Sequence, residues 1–309
     1  NSTNIMTKDF TWNTAVTLSH NKNSVKKLTG EDVQLWEASF GYNQNTHIIG
    51  VNQPLGQMYG YVTDGLYQVS DFDYDEATKT YTLKDGVPYS GKKTDVKPGM
   101  WKFKNVDGSE DNKITENDKT VIGNAYPKFY GGINNTFTYK DFDLSIFLTY
   151  SFGNDVFNAT KLTNTKTALQ NKNVLDIANS SNRWVVVNKK GELITDPQEM
   201  ADINKGKTVA AVYDNEIGDT YIHSWAVEDG SYLKLSNITL GYTFPRKMLS
   251  KIGISKLRLY ATGSNLLTWT KYTGFDPEVS TMGSGLTPGV DFGAYPKSRS
   301  FVFGINLAF

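Results

Sequence analysis

The 309 residues carry no net charge, 32 lysines and arginines against 32 aspartates and glutamates, so nothing draws the chain to nucleic acid or an anionic surface. The absence of cysteine excludes disulfide frameworks, thiolate metal sites and cysteine nucleophiles together. No apolar run approaches the ~20 residues of a membrane-crossing helix, but a membrane-crossing strand is apolar only at alternate positions, so the mean hydropathy of −0.44 does not exclude one.

In chain order, the first patterned segment is 10–19. Phe10, Trp12, Val16 and Leu18 alternate with Thr11, Asn13, Ala15, Thr17 and Ser19, the period of a strand with one apolar face. The pattern over 31–53 does not decide between a spanning strand and a loop. Residues 107–118 (DGSEDNKITEND) have the length and oxygen spacing of an EF-hand calcium loop. Its ligands would be Asp107, Ser109, Asp111, the Lys113 carbonyl, Thr115 and Asp118, with Ile114 as the apolar anchor. Two departures weaken the match: Asn112 stands where glycine makes the sharp turn, although asparagine tolerates positive φ, and Asp118 replaces the longer bidentate glutamate. The alternative is an acidic, solvated loop.

A run ending in Phe137 and Tyr139 is separated by only Lys140 and Asp141 from the clearest strand, 142–152, which predicts a tight hairpin. There Phe142, Leu144, Ile146, Leu148, Tyr150 and Phe152 share one face, and Asp143, Ser145, Thr149 and Ser151 the other. The connection from 153 to about 222 is long and should carry structure of its own. Asp196-Pro197-Gln198-Glu199 has an N-cap, a proline at the first helical position and a capping-box glutamate. Leu169, Val174, Leu175, Ile177 and Ala178 could form a short apolar helical face. Ile238, Leu240, Tyr242 and Phe244 then alternate with Asn237, Thr239, Gly241 and Thr243, and Leu257, Leu259 and Ala261 with Arg258, Tyr260 and Thr262. The chain closes on Phe301, Phe303, Ile305, Leu307 and Phe309 set against Ser300, Gly304, Asn306 and Ala308.

Alternation alone fits a soluble two-sheet sandwich equally well. The minor face favours an all-β transmembrane antiparallel barrel, because its glycine, alanine, serine, threonine and asparagine suit a crowded or wet lumen, whereas a sandwich surface tends toward lysine and glutamate. Connection lengths give an independent argument. They alternate short (140–141), long (153–222), short (245–255), long (273–297), as short periplasmic turns and long external loops must. External loops are expected at 71–98, 154–221 and 274–296, and the C-terminus in the periplasm. About seven strands span, and an odd number does not close a single-chain bacterial barrel, so the N-terminal part is expected to be missing.

Few residues suggest chemistry. His20, His47 and His223 lack zinc-site spacing. Asp141 and Asp143 could be imagined as a glycosidase pair but sit at a turn. No nucleophile elbow, phosphate loop or dinucleotide fingerprint is present, and no enzyme is expected. Trp184 and Trp225, in the long connection, could stack on sugar rings or the apolar parts of peptides and are the substrate-binding candidates; Trp12 and Trp269 fit an interfacial girdle better.

Several stretches resemble the SusC-like (SusC/RagA) TonB-dependent outer-membrane transporters: NKNSVKKL (21–28), PLGQMYGYVTDGLYQ (54–68), GNAYPKFYGGINNTFTYKDFDLSIFLTYSFGNDVFN (123–158), EDGSYLKLSNITLGYTFP (228–245), ISKLRLYATGSNLLTWTKYTGFDPEVS (254–280) and YPKSRSFVFGINLAF (295–309). The resemblance implies that 1–309 form the C-terminal part of a ~22-stranded barrel, with the N-terminal extension, plug and early strands outside the chain. It further implies import of an oligosaccharide or peptide across the Gram-negative outer membrane. The partners it implies are a SusD-like surface lipoprotein, outer-membrane lipid, and the TonB complex through the missing N-terminal part. The family often carries a DVNGDGKIT-like run at the candidate calcium loop, and a two-residue insertion relative to it would make Asn105 and Asp107 the first ligands. The rival reading is a soluble secreted glycan-binding or glycan-degrading β protein.

Overall fold

The computed structural model describes residues 1–37, 44–166, 173–213, 221–250, 253–281 and 284–309. Seven strands form its main sheet: β1 (Ser2–Met6), β2 (Phe10–Ser19), β3 (Phe129–Tyr139), β4 (Phe142–Phe152), β5 (Tyr232–Thr243), β6 (Lys256–Thr270) and β7 (Ser300–Ala308). They pair in chain order and always antiparallel, so the sheet is a meander with β1 and β7 as open edges. A meander sends successive connections to opposite ends. Here 7–9, 140–141 and 244–255 lie at one end, and the long connections 20–128, 153–231 and 271–299 at the other.

The register turns alternation into two continuous faces. Trp12, Phe137, Leu144, Leu240, Ala261 and Phe303 stand in one row across six strands, and the neighbouring row, Thr11, Thr138, Asp143, Gly241, Tyr260 and Gly304, points the other way. Slipping one strand by a residue would swap its faces, so the pattern holds its own register. Lys140, at φ 52°, makes the β3–β4 turn tight. β1 has almost no apolar alternation and pairs with β2 through an irregularity between Thr3 and Ile5.

The segment 31–53 does not enter this sheet. Its strands Val33–Glu37 and Asn45–Gly50 join Gln57–Tyr61 and Lys119–Asn124 in a separate four-stranded sheet built from the first long connection. Thr46, His47 and Ile49 are buried, on both faces of their strand, so the half-exposed period of a wall strand is absent. In the second long connection Pro197–Ile203 is the expected helix, its first turn capped by Asp196 Oδ1 accepting from the Glu199 N–H at 2.6 Å. The apolar helical face expected around Val174–Ala178 is not formed: Leu169 lies outside the described residues, Val174 is exposed, and Asp176–Ala178 is a single 3₁₀ turn.

The packed interior belongs to this loop layer. Tyr61, Leu66, Trp101, Phe103, Ile114, Trp184, Ile194 and Met200 form one buried cluster drawn from the first two long connections. Phe157, Leu162, Ile222 and Val290 lie in a second, drawn from all three. Among the described residues, no apolar side chain of β1–β7 is buried in a core; on the apolar face Phe303, for example, is 80% exposed.

Candidate functional site

The seven-stranded wall offers two chemically distinct surfaces. On its polar face, side chains pair with one another across strands: Ser145 donates to Asn134 (3.1 Å), Ser264 to Asn237 (2.8 Å), and Thr239 and Thr262 share a bond of 2.9 Å. Arg258 grips Asp143 with Nε (3.0 Å) and Nη2 (2.5 Å), and the pair lies over Gly241, where a Cβ would sit 2.4 Å from the guanidinium. Asp143 is thereby committed to an ion pair, and Asp141 stays in the hairpin turn, so the two carboxylates form no catalytic couple. Phe147 is an apolar exception on this face and rests over Gly132.

The opposite face is apolar and banded by aromatics. Phe10, Tyr139, Phe142 and Tyr242 share a row near the short turns, and Tyr150, Leu233 and Trp269 a row near the long connections. Two polar residues, Thr14 and Asn135, interrupt it. Asn135 Oδ1 accepts from the Trp12 indole (3.0 Å) and the Thr14 hydroxyl (2.7 Å), which lowers the penalty of leaving them on an apolar surface.

At the candidate calcium loop the ligand types are present but turned to other work. Asp118, fully buried, accepts from the backbone N–H of Val106 (2.8 Å), Asp107 (3.3 Å) and Thr115 (2.7 Å). Asp107 accepts from Ser109 N–H, Asp111 from Lys113 N–H, and Asn105 Oδ1 from Gly108 N–H. Among the described residues no three carboxylate or imidazole groups converge as a metal site. In this arrangement Asp107, Ser109, Asp111, Lys113, Thr115 and Asp118 belong to a turn held by its own hydrogen bonds. Asn112 does adopt the positive φ expected of it, 55°, and Ile114 is buried as the anchor.

The two candidate tryptophans sit differently. Trp184 is 2% exposed, and Gly99 packs flat on its ring, where a Cβ would come within 2.4 Å. Trp225 is half-buried against the same cluster, with Lys161 Nζ 4.2 Å from its ring centroid and Trp101 at 4.8 Å. Among the described residues the most exposed aromatics of the long connections are Phe275 (76%) and Tyr295 (91%).

The histidines are structural. His47 bridges the Thr46 hydroxyl (2.8 Å) and the Pro288 carbonyl (2.9 Å), and burial lowers its pKa to about 4. His223 bonds the Thr63 hydroxyl (2.7 Å); burial, with Lys166 and Lys161 nearby, takes it to about 3. His20 Nδ1 meets the Lys128 carbonyl at 2.6 Å.

Sequence reasoning missed the ionic groups that tie the third long connection to the second, through Glu228, and to the wall, through Lys234. Glu228 receives the Thr273 N–H and hydroxyl, both at 2.8 Å, and pairs with Lys161 (3.1 Å). Glu278 receives Lys234 (2.6 Å), Lys297 (2.6 Å) and the Tyr232 hydroxyl (2.7 Å), with Asp276 beside both lysines at 3.8 and 3.6 Å. The available signal was Lys234, the lone lysine in the β5 strand.

No protein-family profile matches the chain. Among characterised proteins it is similar to TonB-dependent receptor P3 of Formosa agariphila, 33% identical over 316 residues that cover 100% of this chain and 28% of that protein. It is also similar to TonB-dependent receptor SusC of Bacteroides thetaiotaomicron, 27% identical over 316 residues, 100% of this chain and 25% of that protein. The chain thus spans little more than a quarter of these relatives. In fold it is similar to a chain in the structure of the RagAB peptide transporter, with a TM-score of 0.64 and 18% identity, covering 99% of this chain and 28% of that one. The same likeness holds in the open-open state of the RagAB peptide importer, at a TM-score of 0.64.

Proposed function

We propose that this chain, which resembles the SusC-like TonB-dependent receptors over its whole length, is the C-terminal part of an outer-membrane β-barrel that imports a large nutrient. One observation carries the reading: the wall has a bare apolar face and no core, while the dry interior sits in the loops. A soluble sandwich would bury that face, whereas lipid covers it in a barrel. On this reading the polar face lines the lumen, the long connections 20–128, 153–231 and 271–299 are external, and the C-terminus is periplasmic. β1 and β7 then each need a further strand, because open sheet edges do not occur against lipid.

The nutrient is an oligosaccharide or a peptide. A SusD-like lipoprotein covers the external loops, and the TonB complex drives release through parts of the protein outside this chain. No bond is made or broken by these residues. Their work is to bound a wet passage, hold the loop layer over it, and present exposed aromatics such as Phe275 and Tyr295 where a sugar ring or apolar side chain could stack.

Nitroxides placed singly at Leu144, Ile146 and Leu148, with the protein in lipid, test the assignment. Frequent collision with oxygen and rare collision with a water-soluble nickel complex is the expected result. Low access to both reagents at all three positions would show a packed protein core and overturn it.

A further inference from the structure

Lys234 stands on the polar face of β5, its side chain only 5% exposed, and among the described residues its ammonium meets only Asp276 and Glu278. Both carboxylates come from residues 271–299. That connection is fastened elsewhere by neutral or separate bonds. Thr273 is held on Glu228, Tyr272 donates to Asp291 at 2.5 Å, Val290 and Asp291 pair with Phe157 and Asn158, and His47 meets the Pro288 carbonyl. Between these anchors, the short arm 274–280 reaches over the polar face. Among the described residues its polar bonds to the wall are those of Asp276 and Glu278 with Lys234 and Tyr232, while Lys297 closes the cluster from the other side.

Two positive and two negative charges therefore balance within one cluster, and lifting the arm separates them. Lys234 would be left as an uncompensated ammonium on a face whose other described ion pair, Arg258 with Asp143, is already closed, a state that demands a replacement anion. A ligand that binds only this bared form shifts the equilibrium toward it.

We propose that residues 274–280 are an arm latched by Asp276 and Glu278 onto Lys234 and Lys297, and that its release presents Lys234 as the recognition point for a carboxylate on the ligand. Placing this point in a transport lumen rests on the barrel reading; the latch itself does not.

Amine acetylation of the whole protein, read by mass spectrometry, tests the latch. Lys247, exposed in the short connection 244–255 and outside the cluster, serves as the internal standard. In the unaltered protein Lys234 should react at least tenfold more slowly than Lys247, and Glu278→Gln should remove most of that protection. Salt at ~1 M, which shortens the screening length to about 3 Å, should act in the same direction without any substitution. In Glu278→Gln, triglutamate or trigalacturonate should then shield Lys234 at least threefold, and the neutral sugar maltotriose should not; which acid shields distinguishes a peptide from a uronide source. Unchanged Lys234 reactivity in both Glu278→Gln and high salt would overturn the latch, and failure of both acids to shield would overturn the recognition point. Solubility without detergent, scored on the same preparation, would sink the barrel reading and leave the latch result standing.

Discussion

Glu278 shows how one carboxylate can be held charged against its surroundings. Partial burial would raise its pKa, but hydrogen bonds from Lys234, Lys297 and Tyr232 outweigh that and bring it down to about 2 from 4.5. Because the folded value lies below the unfolded one, the contribution of Glu278 is fully present above pH 4.5 and is lost as pH falls from there toward 2. A nitroxide at Ser280 should stay immobile at neutral pH and loosen across that window, and in Glu278→Gln it should be loose at every pH; a spectrum indifferent to acid in the unaltered protein would refute this. His47 and His223 work in the same direction at higher pH. Both are neutral when folded, with values of about 4 and about 3 against 6.5 unfolded, so the loop layer should lose stability as pH drops below 6.5. Asp118 is held by geometry: its two oxygens accept from three backbone N–H groups. Asp118→Asn replaces one acceptor by a donor and should cost about 1–3 kcal/mol in thermal unfolding. A chelator should leave the melting temperature unchanged; a drop on adding EDTA would restore the calcium reading.

Among the elements, the β3–β4 hairpin carries the clearest test of the two faces, because adjacent residues point into different media. Ile146→Arg places a charge on the apolar face near the middle of its strand and should destabilise the barrel by roughly 2–4 kcal/mol, whereas Ser145→Arg enters the polar face and should cost far less. Equal losses in urea unfolding from lipid would contradict the assignment. These strands were legible in the sequence because each apolar row is continuous, and the short turns declared themselves by length. β1 was not, since Ser2, Thr3 and Asn4 carry no alternation and the strand is held by pairing to β2 alone. The stretch 31–53 stayed undecided for a related reason: in Asn45–Gly50, burial on both faces erases the period that marks a wall strand. Sites were less legible still. Trp184 and Trp225 are drawn inward by the same apolar area that suggested ligand stacking, and the ligands expected around Asp118 point to nearby backbone N–H groups that no spacing rule reveals. The Glu278 latch joins residues 44 positions apart through a pairing that only the fold brings about.

For the whole molecule, the meander makes orientation a single binary choice, because all short connections share one end and all long ones the other. If the long ends face outward, the external loops expected at 71–98, 154–221 and 274–296 all lie on the outside of the cell. Orientation has a sharper readout, since chymotrypsin can reach exposed apolar residues at both ends of the sheet. Leu193 (72%), Phe275 (76%) and Tyr295 (91%) are exposed in the long connections, and Met248 (62%) is exposed in the short connection 244–255. On intact cells, cleavage should occur at Leu193, Phe275 and Tyr295 and spare Met248. Opening the cells should then add the Met248 cut, which shows that protection came from the membrane and not from local structure. Cleavage at Met248 alone on intact cells would turn the sheet over, put the short turns outside and remove the basis for assigning the loop layer to ligand capture.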